Sequence, residues 1–411
     1  MKNFLSLFKK AQSLNLIDSF DDAVLFYDLG AVSQLLEKFA SHFPSNHKPT
    51  VAVKTCPLAS VLQQVGSCHY GHEAASLSEV ILAAQQSNQL LVYDGPAKEI
   101  HELELLLPYK ERLIINANSF GDLKKIQTLP FPNIGLRLNL QVTPHVEKRF
   151  DVSQSGSQFG VPLDFKQQII DAFSQDERMN TVHFHLGSGM TSVVPFEEAL
   201  QLLEPLLKVI ASNRSKNGLS PLKNIDIGGG LAAEPLANNM ERAKKLGALL
   251  REKFGHLWEN YTLITEMGQY IHTHCAWLST KIADVLDHRN RPILIAHSGA
   301  NLFPRQAYTN TPPPFTYANL SPSSSTRPVR AYDIAGPLCF AGDRVEENVS
   351  LPTLEAGEWL VVDSVGANTF SLYSMHCSWI FPKVIGYNED KGEFRIIKDR
   401  MRTEEIVEFW S

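Results

Sequence analysis

Thr181-Val-His-Phe-His-Leu-Gly187, Asn224-Ile-Asp-Ile-Gly-Gly-Gly230 and Thr262-Leu-Ile-Thr-Glu-Met-Gly268 are short apolar runs, each closing in polar side chains or glycine. Between them lie Pro195–Ala211 and Met240–Phe254, whose apolar residues recur near every 3.6 positions, the spacing of one helix face. The same alternation precedes them. Runs at Thr50–Lys54, Gly66–Tyr70, Leu90–Gly95, Leu113–Ala117 and Ile134–Leu140 are interleaved with helical spacing over Ala75–Gln85, Phe120–Thr128 and Phe165–Phe173. A series of strands each followed by a helix, eight in all, predicts a (β/α)8 barrel; an open doubly wound sheet competes with it on periodicity alone.

After Thr280 the pattern changes. Runs at Pro292–Ala296, Arg330–Ala335, Trp359–Val362 and Trp379–Gly386 follow one another without amphipathic helices, which predicts an antiparallel β domain. The Pro, Ser, Thr and Asn of Thr311–Phe315 and Ser321–Pro328 predict a long loop. The expected organisation is an N-terminal segment, 1–40, packing with the β domain, a barrel over 41–283, and a β-sandwich or barrel over 284–411.

The 411 residues include 38 Lys plus Arg and 44 Asp plus Glu, a net charge of −6, with 44% hydrophobic residues. This is enough apolar material for a large core, and no basic block is present to bind nucleic acid or an anionic membrane. No apolar stretch approaches the roughly 20 residues of a membrane span, and Met1–Phe20 has no signal-peptide core, so a cytoplasmic enzyme of small molecules is expected. The five cysteines (Cys56, Cys68, Cys275, Cys339, Cys377) are scattered and never in a CxxC pair, so reduced thiols are expected. His69 with His72 and His272 with His274 lack acidic or cysteine partners at ligand spacing, and no metal is expected.

A barrel of this kind builds its site from the carboxyl ends of its strands. Lys54 closes the first run, where desolvation should lower its pKa toward a nucleophilic amine; a lysine snorkelling at the rim is the plainer reading. His183 and His185 stand before Gly187-Ser188-Gly189, either as ring-stacking groups or as core histidines. Gly228-Gly229-Gly230 would offer three bare N–H groups to a phosphate, or else form a tight turn. Glu266 ends the eighth run, where it would pair with a protonated heteroaromatic nitrogen or with a structural arginine.

Taken in order, Val51-Ala-Val-Lys54-Thr, Val182-His-Phe-His185-Leu-Gly-Ser188-Gly, Asp226-Ile-Gly-Gly-Gly-Leu, Thr265-Glu266-Met-Gly268 and Gly336-Pro-Leu-Cys339-Phe-Ala-Gly-Asp343 resemble the fold type III pyridoxal-phosphate decarboxylases, the ornithine/diaminopimelate/arginine decarboxylase family. Tyr93-Asp-Gly-Pro-Ala-Lys98, Ile115-Asn-Ala-Asn-Ser119 and Ser157-Gln-Phe-Gly160 agree with minor segments of that family, and the match runs over about residues 45 to 390. The resemblance implies an alanine racemase-type barrel with pyridoxal 5'-phosphate carried on the amine of Lys54. It implies His185 on the ring face and Glu266 at the ring nitrogen, which favours decarboxylation over the racemisation of relatives with an arginine there. Ser188, Gly228, Gly229, Gly230 and Gly268 would serve the phosphate end. The family's homodimers share active sites, so Cys339 would be donated by the other subunit, with Asp343 on the same loop.

Departures from the family bear on substrate. Gln269 stands where a phosphate-binding arginine is usual and Asn368 where a tyrosine is. Phe340 replaces an acid that helps select a substrate ammonium, and Arg305, in Leu302-Phe-Pro-Arg-Gln-Ala-Tyr308, stands near an arginine that binds a distal carboxylate. With Tyr308 these imply an amino acid, or amino-acid conjugate, with a carboxylate-bearing distal end, such as a diaminopimelate-like acid or a siderophore intermediate. The alternatives are a diamino acid or carboxynorspermidine-type substrate, or an inactive regulatory relative.

Overall fold

The strand that carries Lys54 at its end and the strand that ends in Glu266 are neighbours: Thr50 pairs in parallel with Glu266. That pairing closes a ring. The computed structural model describes residues 2–235, 238, 240–287, 290–309 and 315–411. In chain order the strands begin with β1 (Ala23–Asp28), β2 (His47–Ala52), β3 (Gly71–Ala74), β4 (Leu91–Tyr93), β5 (Leu113–Ala117), β6 (Ile134–Asn139), β7 (Val161–Pro162), β8 (Met179–His183), β9 (Asn224–Asp226) and β10 (Thr262–Glu266). The barrel sheet runs β5-β4-β3-β2-β10-β9-β8-β6, closed by pairing of β5 with β6; β7 pairs only with β6. Each of these pairings is parallel, and every residue of β5 and β6 is buried, as strands covered on both faces must be. The closed ring excludes the open sheet.

The second predicted run was misplaced. Gly66 and Ser67 end a helix, Ala59–Ser67; Cys68 N–H turns back to the Gln64 and Val65 carbonyls, and His69 takes a left-handed φ of 64°. The strand starts only at Gly71. Its sequence, Gly-His-Glu-Ala, has little intrinsic strand preference, and complete burial between β2 and β4 overrides this.

By its contacts the chain divides into two units, 33–271 and 1–32 with 272–411, compared with the expected boundaries at residues 40 and 283. The second unit holds β1 and β11 (Ala276–Leu286), β12 (Ile293–Ala296), β13 (Thr316–Asn319), β14 (Val329–Ala335), β15 (Arg344–Pro352), β16 (Trp359–Asp363), β17 (Lys383–Asn388) and β18 (Glu393–Lys398). Its order is β15-β14-β12-β11-β1-β17-β18, with β16 bridging β11 and β13; pairings are antiparallel except β1–β17 and β12–β14. The amino-terminal strand is thus central to a sheet made mostly of carboxy-terminal residues. Trp277 is fully buried there, stacked on Phe26 at 4.0 Å, and the helix Phe4–Ser13 adds Leu7, Phe8 and Ala11 to the same core. The long loop expected near 311–328 is interrupted: residues 311–314 lie outside the described ones, and 316–319 form β13 because they pair with β16.

Candidate active site

The carboxyl ends of the barrel strands deliver one group of ionisable side chains. Lys54 lies in the turn Val53–Thr55 directly after β2, Glu73 in β3, Asp94 directly after β4, and Arg137 in β6. His183 ends β8, His185 follows it, Asp226 ends β9 and Glu266 ends β10. Lys54 Nζ donates to Glu73 Oε2 at 2.6 Å. The lysine side chain is half-exposed, yet it is surrounded on its other sides by barrel atoms, as at the bottom of a concave mouth; Glu73 is 1% exposed.

Burial pulls the Lys54 ammonium toward neutrality, but Glu73, Glu266 and Asp94 outweigh it and hold the amine above its ordinary range. This reverses the lowering expected from desolvation alone. The reason is tertiary, since three other strands bring carboxylates to the lysine.

Glu266 is 6% exposed. Burial first, then Asp226, Asp94 and Glu73, push its carboxyl well above the usual range. Asp226 is raised similarly by burial and by Asp94, although its Oδ1 accepts the Gly228 N–H at 2.9 Å. Asp94 goes the other way: burial raises it, but His183 and Arg137 prevail, and Asn116 Nδ2 donates to its Oδ1 at 2.6 Å. His183, fully buried, is pushed down by burial to about 4, and His185 also well below its ordinary range. Both rings are neutral at pH 7. Asp94 Oδ2, Asp226 Oδ2, Glu266 Oε1 and both His183 nitrogens are buried without a hydrogen-bond partner among the described residues.

The glycine turn is built against this cluster. A Cβ on Gly229 would lie 2.2 Å from the Glu266 carbonyl oxygen, and one on Gly230 would lie 2.0 Å from that of Gly187. Only glycine lets the turn approach both. The expectation of three free amides is corrected, however: Gly228 N–H is held by Asp226, and Gly229 N–H donates to His185 Nδ1 at 3.1 Å. That bond fixes the ring's tautomer, with Nδ1 the acceptor. Ser188 stands in the turn after His185, its amide bonded to the Phe150 carbonyl at 3.0 Å; Gly268 and Gln269 open the short helix Gly268–His272.

Arg305, Tyr308, Cys339, Phe340, Asp343 and Asn368 belong to the sheet unit. Cys339 is exposed there, and Phe340 lies between Tyr308, stacked at 5.7 Å, and His376 at 5.8 Å. Asp343 is buried, its two oxygens accepting the Ala300 and Leu338 amides at 2.6 and 2.7 Å. Asn368 takes a left-handed φ of 52°. Sequence reasoning missed Glu73, Asp94, Arg137 and Asp226 as site members. Asp94 and Asp226 close or lie inside predicted runs and were legible by the strand-end rule. Glu73 was hidden by the misplaced run, and Arg137 by its position within a strand.

The closed parallel barrel brings a strand-end lysine, a glycine turn and a buried carboxylate to the same end of its strands. The family profile described as pyridoxal-dependent decarboxylase, pyridoxal binding domain, matches residues 29–273, and the chain belongs to that family. It is a pyridoxal-dependent amino-acid decarboxylase. It is 26% identical over 393 residues to a probable ornithine decarboxylase of Dictyostelium discoideum, covering 91% of this chain and 81% of the relative. It is also 26% identical over 416 residues to a diaminopimelate decarboxylase of Aquifex aeolicus, covering 98% and 95%. The crystal structure of diaminopimelate decarboxylase from Helicobacter pylori complexed with L-lysine has the same fold, with a TM-score of 0.83, 22% identity and 99% of each chain covered.

The residues present fit a pyridoxal group. The unpaired oxygen of Glu266 suits a ring nitrogen, Lys54 supplies an amine, and Gly189, with a φ of 87° and open space around its missing Cβ, leaves room beside Ser188. Asp94, His183 and Glu266 also place one atom each within 4.8 Å of one another, the one cluster of metal-ligand type among the described residues.

Proposed function

We propose that this decarboxylase acts on an amino acid whose far end carries carboxylate rather than ammonium, a diaminopimelate-like acid or a carboxylate-rich conjugate of the kind met in siderophore synthesis, as a cytoplasmic homodimer. One observation carries the substrate reading: Phe340 is packed between Tyr308 and His376, so this position offers an aromatic face and no anion to a distal ammonium. Arg305, on the short helix Pro304–Tyr308 that ends in the stacking tyrosine, is the candidate for the distal carboxylate. The dimer reading rests on the family resemblance, in which Cys339, exposed on its loop, serves the other subunit's site. The cytoplasmic reading rests on the sequence, whose five cysteines are scattered and never in a CxxC pair.

Bound pyridoxal phosphate supplies the electron sink for the carbanion left by loss of CO2. The chain's residues do the rest. Lys54 Nζ would hold the cofactor and, as a free amine, would carry a proton for return to Cα. Glu73 keeps that amine charged and oriented. Glu266 would hold the ring nitrogen's proton, His185, fixed in position by Gly229, would face the ring, and Ser188, the glycine turn and Gln269 would take the phosphate end. Cys339 is the second candidate proton donor.

The test is a visible absorption spectrum with added pyridoxal phosphate, followed by a CO2-release screen. A visible band lost in Lys54→Ala, and kcat/KM at least tenfold higher for carboxylate-ended amino acids than for ornithine or lysine, are expected. A preference for ornithine or lysine would reject the substrate reading.

A further inference from the structure

We propose that Asp94 is a positioning residue that holds one proton shared between its own carboxyl and that of Glu266, so that Glu266 meets a heteroaromatic nitrogen as an acid able to pass the proton on. The proposal rests on the role given to Glu266 above and asks how that residue is kept in the required state.

The geometry is specific. Asn116 Nδ2 pins Asp94 Oδ1 at 2.6 Å, and Asn116 itself has room only because residue 135 is glycine: a Cβ there would lie 1.8 Å from Asn116 Oδ1. Pinned in this way, Asp94 brings Oδ2 to 3.5 Å from His183 Nε2, which is 3.8 Å from Glu266 Oε1, and the three residues place one atom each within 4.8 Å of one another. Asp94, His183 and Glu266 are 7%, 0% and 6% exposed. Neither Asp94 Oδ2 nor Glu266 Oε1 has a hydrogen-bond partner among the described residues. Two carboxylates this close in a buried site cannot both ionise cheaply; a proton on Glu266 turns their repulsion into a hydrogen bond, the side-chain pairing that lowers Asp94 and raises Glu266.

The surrounding groups decide which carboxyl carries it. Facing the pair are Lys54 after β2, Glu73 from β3, Arg137 from β6, His183 and His185 from the β8 end and Asp226 from β9. With both histidines neutral, Lys54, Arg137 and Lys98, the last already paired with Asp122 at 2.8 Å, are the cations set against Glu73, Asp94, Asp226 and Glu266, so full ionisation would leave excess negative charge buried. Asp94 has Asn116 and Arg137 to stabilise its anion, whereas burial, Asp226, Asp94 and Glu73 all act against the Glu266 anion. The proton therefore rests on Glu266. On meeting a ring nitrogen's lone pair Glu266 gives up its O–H proton and becomes the carboxylate, while Asp94 stays anionic throughout. A metal ion on the same three atoms is disfavoured because the buried guanidinium of Arg137 already supplies a cation beside them.

The test is an infrared titration of the full chain freed of pyridoxal, in which the difference from Glu266→Gln isolates the carboxylic-acid C=O band of Glu266. In the parent chain this band should persist above the ordinary carboxyl range. In Asp94→Asn its midpoint should fall by about one pH unit, a tenfold loss of proton affinity. Asp94→Ser gives the same readout if the asparagine variant folds poorly. A midpoint unmoved by loss of the Asp94 charge, or no Glu266-dependent band in the parent chain, overturns the proposal. Because the titration contains no cofactor, its failure is distinguishable from failure of the Lys54-dependent visible band or of CO2 release.

Discussion

Lys54 and Glu73 form a 2.6 Å ion pair in which the acid is buried and the lysine reaches toward the open mouth of the barrel. Their strands, β2 and β3, are adjacent and in parallel register, Ala52 opposite Glu73, so the pair is set by the sheet rather than by a flexible loop. The anion holds the amine in its charged form, which cannot attack a carbonyl until the proton leaves.

Glu73→Gln should therefore ease deprotonation of Lys54. The pH profile for the appearance of the Lys54-dependent visible band, after mixing cofactor-free chain with pyridoxal phosphate, is expected to move toward acid by about one unit. An unchanged profile would show that Glu73 does not control the amine.

The glycine turn distinguishes close contact from backbone strain. Gly229→Ala places a methyl 2.2 Å from the Glu266 carbonyl and should cost about 3 kcal/mol, whereas Gly189→Ala meets nothing within 4 Å and pays only for its left-handed φ, about 1–2 kcal/mol. Denaturant unfolding of both variants checks this. Equal losses would mean the turn can move away from Glu266.

His72 is fully buried, with both ring nitrogens unpartnered among the described residues, and burial, followed by Arg112, pushes it down to about 4. Its folded pKa lies below the unfolded value of about 6.5. As pH falls through 6.5 the unfolded chain takes up a proton that the folded one refuses, so stability drops by about 1.4 kcal/mol per pH unit until about pH 4. His72→Leu should remove this one residue's share of the slope, while buried His47, His183 and His185 keep theirs. Urea unfolding at several pH values between 4 and 7 would reveal it, and parallel curves for parent and variant would refute it.

Phe340→Asp restores an acid between Tyr308 and His376. The ratio of kcat/KM for an amine-ended over a carboxylate-ended amino acid should rise roughly tenfold, from one desolvated charge pairing worth about 1.4 kcal/mol. Competition between the two substrates in one reaction measures the ratio directly. No change would place the distal end of the substrate elsewhere.

The sequence by itself determined the alternation of strand and helix, the barrel that follows from it, and the strand-end positions of Lys54 and Glu266, because a period of two or 3.6 and a run of glycines are local signals. The change after residue 280 to an antiparallel sheet was equally local. Only the tertiary structure decided that Gly71-His-Glu-Ala74 is a strand, since burial between β2 and β4 overrides weak propensity, and that β1 joins a sheet made largely of residues after 272. It alone also decided the charge states. Desolvation of Lys54 is a local expectation, but Glu73, Asp94 and Glu266 come from three other strands, and Coulomb interactions depend on distances in space that sequence separation does not contain.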